Sequence, residues 1–204
     1  MTRIKICGVT SVEQAIACMG LGVDAIGVNF VDSSPRRVEV PTARAITETM
    51  RDRVLVVAVV ADMTVAAMHA LVTATAVGCL QLHGNEPPED VAALLPHAYK
   101  AIRVASAEDV RRAEGMPGEF VMVDAKVAGV LGGSGHTVDW SLVTGLAKRR
   151  KLVLAGGLTP ENVRAAIIKV RPWCVDVASG VEVLPGVKDL AKVKAFVDAV
   201  RAAG

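Results

Sequence analysis

The sequence predicts a single α/β domain over residues 1–204, a closed (β/α)8 barrel. Short β-branched apolar runs alternate with longer segments of helical period along the whole chain. The runs are mostly continuous rather than alternating, which is typical of parallel strands buried on both faces. Eight such units in 204 residues leave about 25 residues for each, with no Pro/Gly/Ser-rich linker and nothing left over. A doubly wound sheet of eight strands is the alternative.

The strand predictions follow the apolar runs in chain order. The eight predicted strands are Ile4–Cys7, Ala25–Phe30, Val54–Val60, Cys79–His83, Tyr99–Val104, Phe120–Val123, Leu152–Ala155 and Val175–Ala178.

Start signals precede several of the intervening helices. Thr10 with Glu13 fits a capping box, and Ser11 is an alternative cap. Ser106, three residues before Asp109, predicts the start of the fifth helix. Two prolines mark further starts, with Pro41 at the second helix and Thr159-Pro160 at the seventh.

Charge and composition argue against several classes of protein. The 23 Lys+Arg residues nearly balance the 21 Asp+Glu residues, so a nucleic-acid or membrane partner is not expected. The longest apolar run, Val54 to Ala61, is far shorter than the roughly 20 residues of a spanning helix. The N-terminal residues carry no apolar signal region, so we expect a cytoplasmic protein.

Cysteines and histidines predict neither a disulfide framework nor a metal site. The four cysteines are scattered, and three of them are expected to pack as small apolar side chains. His83 with Glu86 is too sparse for zinc or iron, which need about three protein ligands. The first strand is followed by Cys7-Gly8-Val9-Thr10 rather than a glycine-rich dinucleotide turn.

Glycine-rich loops after the last three strands predict phosphate binding. In a barrel, phosphate commonly binds in the loops that follow strands seven and eight, where backbone N–H groups and helix N-termini face the anion. Tight turns are the structural alternative for each loop. The segment from Pro185 to Lys188 extends the last loop. The candidate residues are Gly133, Ser134 and Gly135 after strand six, Gly156 and Gly157 after strand seven, and Ser179 and Gly180 after strand eight.

Two ionisable residues end strands at the same rim. Cys7 closes strand one, and Asp124 follows strand six, so the two should face each other across the barrel mouth. A partly desolvated Asp124 can act as a general acid. The pKa of Cys7 should be lowered by an amide-rich rim, making it a base or nucleophile. A packing cysteine and a loop-capping aspartate are the structural alternatives.

Other polar residues at the rim are candidates for substrate contacts. Arg36 or Arg37, after strand two, could hold a carboxylate or phosphate by paired hydrogen bonds. The alternative is a solvated basic loop. His83 ends strand four. Its side chain could line the pocket or make structural hydrogen bonds, and the sequence is equally compatible with both roles.

Seven motifs in order through the chain resemble the phosphoribosylanthranilate isomerase family. They are Lys5-Ile6-Cys7-Gly8-Val9-Thr10, Ser34-Pro35-Arg36, Leu80-Gln81-Leu82-His83-Gly84, Val123-Asp124-Ala125, Gly132-Gly133-Ser134-Gly135, Leu154-Ala155-Gly156-Gly157-Leu158 and Asp176-Val177-Ala178-Ser179-Gly180-Val181-Glu182.

The resemblance implies a TIM barrel that catalyses an Amadori rearrangement in tryptophan biosynthesis without a cofactor. It implies Cys7 as the general base, Asp124 as the general acid, and Arg36 as the ligand of the anthranilate carboxylate. The implied partner is a small phosphosugar carrying anthranilate. A monomer and a homodimer are both compatible with a barrel of this size.

Several positions depart from the usual pattern of the family. Strand two ends in Val28-Asn29-Phe30 where a more apolar, aromatic run is usual, and strand three ends in Val59-Val60-Ala61-Asp62 where an aromatic residue and an Asn are common. Ala178 and Ser134 stand where serine and threonine are frequent. These departures affect the expected lining of the aromatic pocket rather than the acid and base.

Two other functions remain open from the sequence. One is the histidine-pathway isomerase, which performs the same rearrangement on a larger aminoimidazole substrate. Its first strand ends in Asp rather than Cys, and its second phosphate site has no counterpart in the glycine-free segment Ala61–Thr64. The other is a catalytically silent phosphosugar-binding barrel, against which Cys7 and Asp124 argue.

Overall fold

The computed structural model describes residues 1–124 and 140–204, and within these residues eight parallel strands close into a barrel. Each predicted strand is present, with its ends within one residue of the prediction. The barrel strands are β1 Arg3–Cys7, β2 Ala25–Asn29, β3 Leu55–Val60, β4 Cys79–Leu82, β5 Ala98–Arg103, β6 Phe120–Asp124, β7 Lys151–Ala155 and β8 Cys174–Val177.

The strands follow one another around the barrel in chain order. Each pairs in parallel with the next, and β1 closes the barrel against β8 with Ile4 beside Val175. The closed order confirms the (β/α)8 prediction and excludes the doubly wound alternative. It also confirms that β1 and β6 lie three strands apart, with β8 and β7 between them.

Helices alternate with the strands. The α-helices are α1 Val12–Gly20, α2 Val40–Met50, α3 Val65–Thr75, α4 Pro88–Ala93, α5 Ala107–Glu114, α6 Thr144–Ala147, α7 Val163–Val170 and α8 Leu190–Arg201, with 3-10 turns at Trp140–Val143 and Ser179–Val181.

The helix starts follow the predicted caps in part. Ser11 caps α1, so the alternative cap is the correct one, and Thr10 instead donates a hydrogen bond to the Gly186 carbonyl. Ser106 and Asp109 form the expected reciprocal capping box of α5.

The start predicted at Thr159-Pro160 is wrong by several residues. The helix α7 begins at Val163, after a turn over Pro160–Asn162. Asn162 accounts for this difference because its side chain accepts a hydrogen bond from the Thr159 N–H and donates one to the Gly157 carbonyl. Those bonds stabilise a turn at the end of β7 rather than an immediate helix.

Strand residues alternate between the helices outside and the barrel interior. Ile4 and Ile6 of β1 belong to the large apolar cluster of the core, whereas Lys5 and Cys7 alternate with them and point inward. Gln81 of β4 and Asp176 of β8 occupy equivalent inward positions, and their side chains meet Lys5. The barrel interior therefore carries a polar layer just below its carboxyl-end rim.

A small hairpin follows β8 and was not predicted. Its strands are β9 Glu182–Leu184 and β10 Val187–Lys188, paired antiparallel. Glu182 and Lys188 are buried and joined by an ion pair of 2.7 Å. The hairpin thus positions charged groups beside the end of β1.

Candidate functional site

Cys7 lies inside the barrel at the end of β1, against β2. Its side chain is buried, with only 8% of the residue exposed. A methyl group on Gly27 would lie 2.8 Å from Cys7 Sγ and 3.1 Å from Lys5 Nζ, so the sulfur and the ammonium converge over this glycine. Glycine at position 27 therefore provides the space in which the thiol and a cation lie together.

The electrostatics of Cys7 differ from the prediction. Burial raises the pKa of the Cys7 thiol, and the nearby Asp176 carboxylate raises it further. Lys5 and Lys188 oppose these effects but do not reverse them. The predicted lowering of this pKa by an amide-rich rim is therefore wrong, because loss of hydration outweighs the two cations.

A hydrogen-bonded network crosses the barrel interior beneath the rim. Lys5 Nζ donates to Asp176 Oδ1 at 2.9 Å and to Gln81 Oε1 at 3.0 Å. Tyr99 donates its hydroxyl to the same Gln81 oxygen at 2.9 Å. The ion pair with Asp176 is the main favourable contribution that keeps the pKa of Lys5 well above its ordinary value despite burial. Lys5 is therefore a fixed ammonium beside Cys7.

His83 extends this network across the barrel mouth, to the side where Asp124 lies. Gln81 Nε2 lies 2.9 Å from His83 Nδ1, and His83 Nε2 lies 3.9 Å from Asp124 Oδ2. Burial lowers the pKa of His83, so its imidazole is neutral near pH 7. Asp124 ends β6 with its side chain 23% exposed, which leaves the carboxyl accessible from the barrel mouth.

Sequence reasoning did not assign a role to Lys5, Gln81, Tyr99 or Asp176. Three of them were visible only within the family motifs. The available signal was positional, because Lys5 and Gln81 each stand two residues before a rim candidate, within otherwise apolar strands. A charged residue in a buried strand requires a buried partner, so these positions predict an interior network.

Arg36 lies across the end of β1 and is held by Glu182. Its Nε and Nη2 donate to the two Glu182 oxygens at 2.8 and 2.6 Å, while Nη1 makes no hydrogen bond to the residues that the structure describes. Gly8 has φ +76°, and a methyl group there would lie 2.4 Å from Arg36 Cδ. Glycine at position 8 is therefore required for the guanidinium to reach the site.

Arg37 points elsewhere, which separates the two arginine candidates. Its guanidinium pairs with Glu39 at 2.6 Å and with Asp32 at 3.2 Å on an exposed surface. Of the two adjacent arginines, Arg36 is the one that lies at the rim.

The segment Pro185–Lys188, which extends the last predicted phosphate loop, lies at the turn and second strand of the hairpin. Lys188 Nζ donates to the Cys7 carbonyl at 2.5 Å and to Glu182 Oε1 at 2.7 Å, and it is fully buried. The ammonium is therefore used to join β1 to the hairpin, and the Gly186 carbonyl faces Thr10.

The loops after β7 and β8 pack against each other. Gly156 and Gly157 have φ of +94° and +63°, a backbone region that favours glycine. A methyl group on Gly180 would lie 2.0 Å from the Leu158 carbonyl oxygen, so the backbones of the two loops are in close contact. Ser179 starts the 3-10 turn beside Gly180. The candidates Gly133, Ser134 and Gly135 lie outside the described residues.

The contact between these loops predicts a matched pair of alanine variants. Gly180→Ala should weaken substrate binding and lower the melting temperature, because its new methyl group must displace a backbone carbonyl. Gly20→Ala is the control, since it ends α1 with open space around its Cβ position. Thermal unfolding and KM measure both effects. Equal, near-wild-type values for the two variants would contradict the close contact.

A cavity of about 630 Å³ opens beside His83 over the loops that follow β2 to β5. Its lining includes Asn29 and Asp62, two of the positions that depart from the family pattern. Lys100 and Arg103 also line the cavity and were not predicted as site residues. The concave region at this end of the barrel is thus large enough for a small organic substrate.

Among the described residues, no helix has the length and apolarity that crossing a membrane requires. Residues 1–124 and 140–204 also contain no group of three or more histidine, cysteine or carboxylate side chains arranged to hold a metal ion.

Comparisons with known proteins match nearly the whole chain. A family model described as "N-(5'phosphoribosyl)anthranilate (PRA) isomerase" matches residues 4–199. N-(5'-phosphoribosyl)anthranilate isomerase of Pseudomonas aeruginosa (strain LESB58) is 45% identical over 202 residues, covering 98% of this chain and 95% of that protein.

Solved structures agree with the sequence comparisons. The crystal structure of phosphoribosyl anthranilate isomerase from Thermotoga maritima has a TM-score of 0.91 and 38% identity, covering 99% of this chain and 100% of that one. Another crystal structure is of a phosphoribosyl anthranilate isomerase in complex with reduced 1-(o-carboxyphenylamino)-1-deoxyribulose 5-phosphate. It has a TM-score of 0.88 and 35% identity, covering 99% of this chain and 100% of that one.

Proposed function

The chain belongs to the N-(5'-phosphoribosyl)anthranilate isomerase family of tryptophan biosynthesis, and we propose that it performs the family's reaction with Cys7 as general base and Asp124 as general acid. The reaction converts N-(5-phosphoribosyl)anthranilate into 1-(2-carboxyphenylamino)-1-deoxyribulose 5-phosphate. The reaction breaks one C–O bond and transfers protons. It therefore needs a general acid and a general base, which are the roles proposed for Asp124 and Cys7 at the barrel rim.

One observation carries the proposed division of roles. Cys7 and Asp124 end strands that lie three apart around the barrel, and both occupy inward positions at the carboxyl-end rim. A molecule bound in the mouth would therefore have a thiol on one side and a carboxyl on the other. This is the arrangement that an acid and a base need when they act on different atoms of one substrate.

The substrate would be held at both ends. In this proposal its phosphate binds to the loops that carry Gly156, Gly157, Ser179 and Gly180, together with residues 133–135. Its carboxylate accepts hydrogen bonds from Arg36, whose orientation is fixed by Glu182. Binding at the two ends positions the sugar between Cys7 and Asp124.

Asp124 would act first, as the acid that opens the ring. The proton of its carboxyl group moves to the furanose oxygen as the C1–O bond breaks, and the nitrogen lone pair forms an iminium at C1. Asp124 becomes a carboxylate in this step. His83 Nε2, 3.9 Å away, is one polar group that faces the new charge.

Cys7 would act second, as the base. The iminium makes the C2–H bond acidic, the thiolate takes the C2 proton, and the electron pair of that bond moves through C1 to neutralise the nitrogen. The resulting enolamine tautomerises to the ketone product. Because the Lys5 ammonium lies beside the sulfur, it stabilises the thiolate that this step requires.

Domain extent, assembly and location belong to the same proposal. We infer that residues 1–204 act as one barrel domain, which is consistent with a family match over residues 4–199. The Thermotoga maritima enzyme is described as dimeric, so a homodimer and a monomer are both compatible with this chain. The cytoplasmic location expected from the sequence stays a prediction.

The direct test of the function is turnover of phosphoribosylanthranilate by the purified protein, followed through the loss of substrate fluorescence. We expect turnover without any added cofactor or metal. An inert protein that still bound the substrate would support the silent-barrel alternative, and turnover of only the aminoimidazole substrate would support the histidine-pathway alternative.

Alkylation of Cys7 should depend steeply on pH. Only the thiolate reacts, and the raised pKa makes it a minor form near neutrality. The rate of inactivation by iodoacetamide should therefore rise about tenfold per pH unit from about pH 7 to about pH 9. Bound substrate should slow the inactivation. A rate already constant across this range would mean that the thiolate forms near neutral pH, contrary to the structure.

Arg36→Lys should raise KM while changing kcat much less. Lysine cannot donate to both Glu182 oxygens in this paired geometry and still present a fixed donor to a carboxylate. Loss of a charge-assisted hydrogen bond predicts a KM increase of about tenfold to a hundredfold. Arg37→Lys is the matched control, because Arg37 pairs with Glu39 and Asp32 away from the site. Similar KM changes in both variants would remove Arg36 from this role.

A further inference from the structure

We propose that Lys5 and Gln81 are positioning residues that hold His83 in the tautomer with its proton on Nε2, so that this N–H donor faces Asp124. The consequence of this tautomer for catalysis rests on the proposed function of Asp124, whereas the tautomer itself follows from the hydrogen-bond geometry and the neutral state of the buried His83 ring.

The orientation of the Gln81 amide is the first step. Lys5 Nζ and the Tyr99 hydroxyl both lie within 3.0 Å of one end of this amide. An ammonium only donates hydrogen bonds, so the amide group that faces Lys5 must be the oxygen. The reversed amide would place its NH2 group against the ammonium inside a buried barrel. Gln81 therefore presents its NH2 group to the other side, towards His83.

The tautomer of His83 follows from that orientation. Gln81 Nε2 lies 2.9 Å from His83 Nδ1, and an NH2 group can only donate to it. Nδ1 must then carry a lone pair. Because the imidazole is neutral, its one proton is on Nε2. The burial that lowers the pKa of His83 supports this neutral state.

The proton on Nε2 points at the catalytic rim. Nε2 lies 3.9 Å from Asp124 Oδ2, beyond a direct hydrogen bond but close enough for the N–H dipole to stabilise negative charge there. Among the residues that the structure describes, Asp176, Lys100 and Arg103 also act electrostatically on His83. When Asp124 releases its proton to the sugar, the fixed donor stabilises the carboxylate that forms.

The network positions groups and does not conduct protons. A carboxamide at Gln81 holds its two ends as a fixed acceptor and a fixed donor, and no proton needs to pass through it. One end of the network places the Lys5 ammonium beside Cys7, and the other places the His83 N–H beside Asp124. A single set of buried side chains thereby orients polar groups at both proposed proton-transfer sites.

Nitrogen NMR of the wild-type protein tests the tautomer directly. In two-bond ¹H–¹⁵N correlation spectra of protein labelled at histidine, we expect the His83 ring to show a protonated Nε2 and an unprotonated Nδ1 near neutral pH. Loss of these peaks in His83→Gln assigns them. A protonated Nδ1 with an unprotonated Nε2, or a mixture of both tautomers, would overturn the proposal without any variant at Gln81.

Two variants test the part played by Gln81. In Gln81→Glu the side chain can only accept, so we expect His83 Nδ1 to become protonated and kcat to fall by on the order of a hundredfold, with KM little changed. Tyr99→Phe retains Lys5 and should keep the wild-type tautomer. An unchanged Nδ1 signal in Gln81→Glu, in a protein with wild-type melting behaviour, would contradict the positioning role.

The NMR spectra test the tautomer and the kinetics test the proposed function, so each hypothesis can be refuted without the other. A wrong tautomer in an active enzyme would refute the network inference and leave the proposed function intact. The expected tautomer in a protein that does not turn over phosphoribosylanthranilate would refute the proposed function and leave the hydrogen-bond directions intact.

Discussion

Asp124→Asn is expected to bind the substrate with a near-wild-type KM and to lose about two to four decades of kcat. An amide has the shape of the carboxyl group but no acidic proton for the ring oxygen, so ring opening loses its acid. The loss corresponds to about 3–5 kcal/mol of activation free energy. Steady-state kinetics and equilibrium binding of a product analogue measure the two quantities separately.

The matched control for this variant is Asp198→Asn. Asp198 pairs with Lys194 on the exposed surface of α8, remote in the fold from the carboxyl ends of the strands, and should have no effect on kcat. A turnover rate of Asp124→Asn within a few-fold of wild type would remove Asp124 from the mechanism. A parallel loss of substrate binding would instead assign it to the binding site.

Cys7→Ala should reduce kcat by a similar two to four decades, because it removes the base for the C2 proton. Removal of the sulfur leaves the Lys5 ammonium and the Asp176 carboxylate paired as before, so the fold should persist. Turnover and the melting temperature measure these two effects. The thiol is small and already packed against Gly27, so the cavity created is small as well.

Cys79→Ala provides the control for this substitution. Cys79 begins β4, at the end of the barrel opposite Cys7, where its pKa is raised to about 11 and no role in the reaction is assigned to it. It should retain full turnover. If Cys7→Ala also kept wild-type kcat, another group would have to remove the C2 proton.

The barrel was predictable because its determinants are local. Strands buried on both faces require runs such as Val54–Val60, and strict alternation with helices leaves a parallel sheet. The helix α7 was misplaced because Asn162 bonds backward to Thr159 and Gly157, a contact that competes with the Thr-Pro start signal. The hairpin after β8 was missed because its pairing depends on the buried ion pair of Glu182 and Lys188.

The rim residues were predictable as positions but not as electrostatic environments. Strand ends identify Cys7 and Asp124 directly, since functional groups gather at the carboxyl ends of barrel strands. The predicted direction of the Cys7 pKa shift was wrong. Burial raises this pKa by more than the charges of Lys5 and Lys188 lower it. No sequence pattern gives that balance.

The interior network depends on contacts between residues far apart in the chain. Lys5 and Asp176 are separated by 171 positions, and Lys5 and Gln81 by 76. Taking the ion pair of Lys5 and Asp176 out of water costs free energy that its attraction offsets only in good geometry, so it adds little to stability by itself. We infer that the main role of this ion pair is to fix Lys5, which in turn orients Cys7, Gln81 and His83.

The central claim is that Asp124 and Cys7 act on different steps, and the kinetic isotope effect with substrate deuterated at C2 tests it most directly. In Cys7→Ser the breaking of the C2–H bond should limit turnover, so the account predicts a large isotope effect. In Asp124→Asn ring opening should limit turnover, and the isotope effect should approach unity. The reverse pattern would contradict the account, because it would place Asp124 at C2 and Cys7 at the ring oxygen.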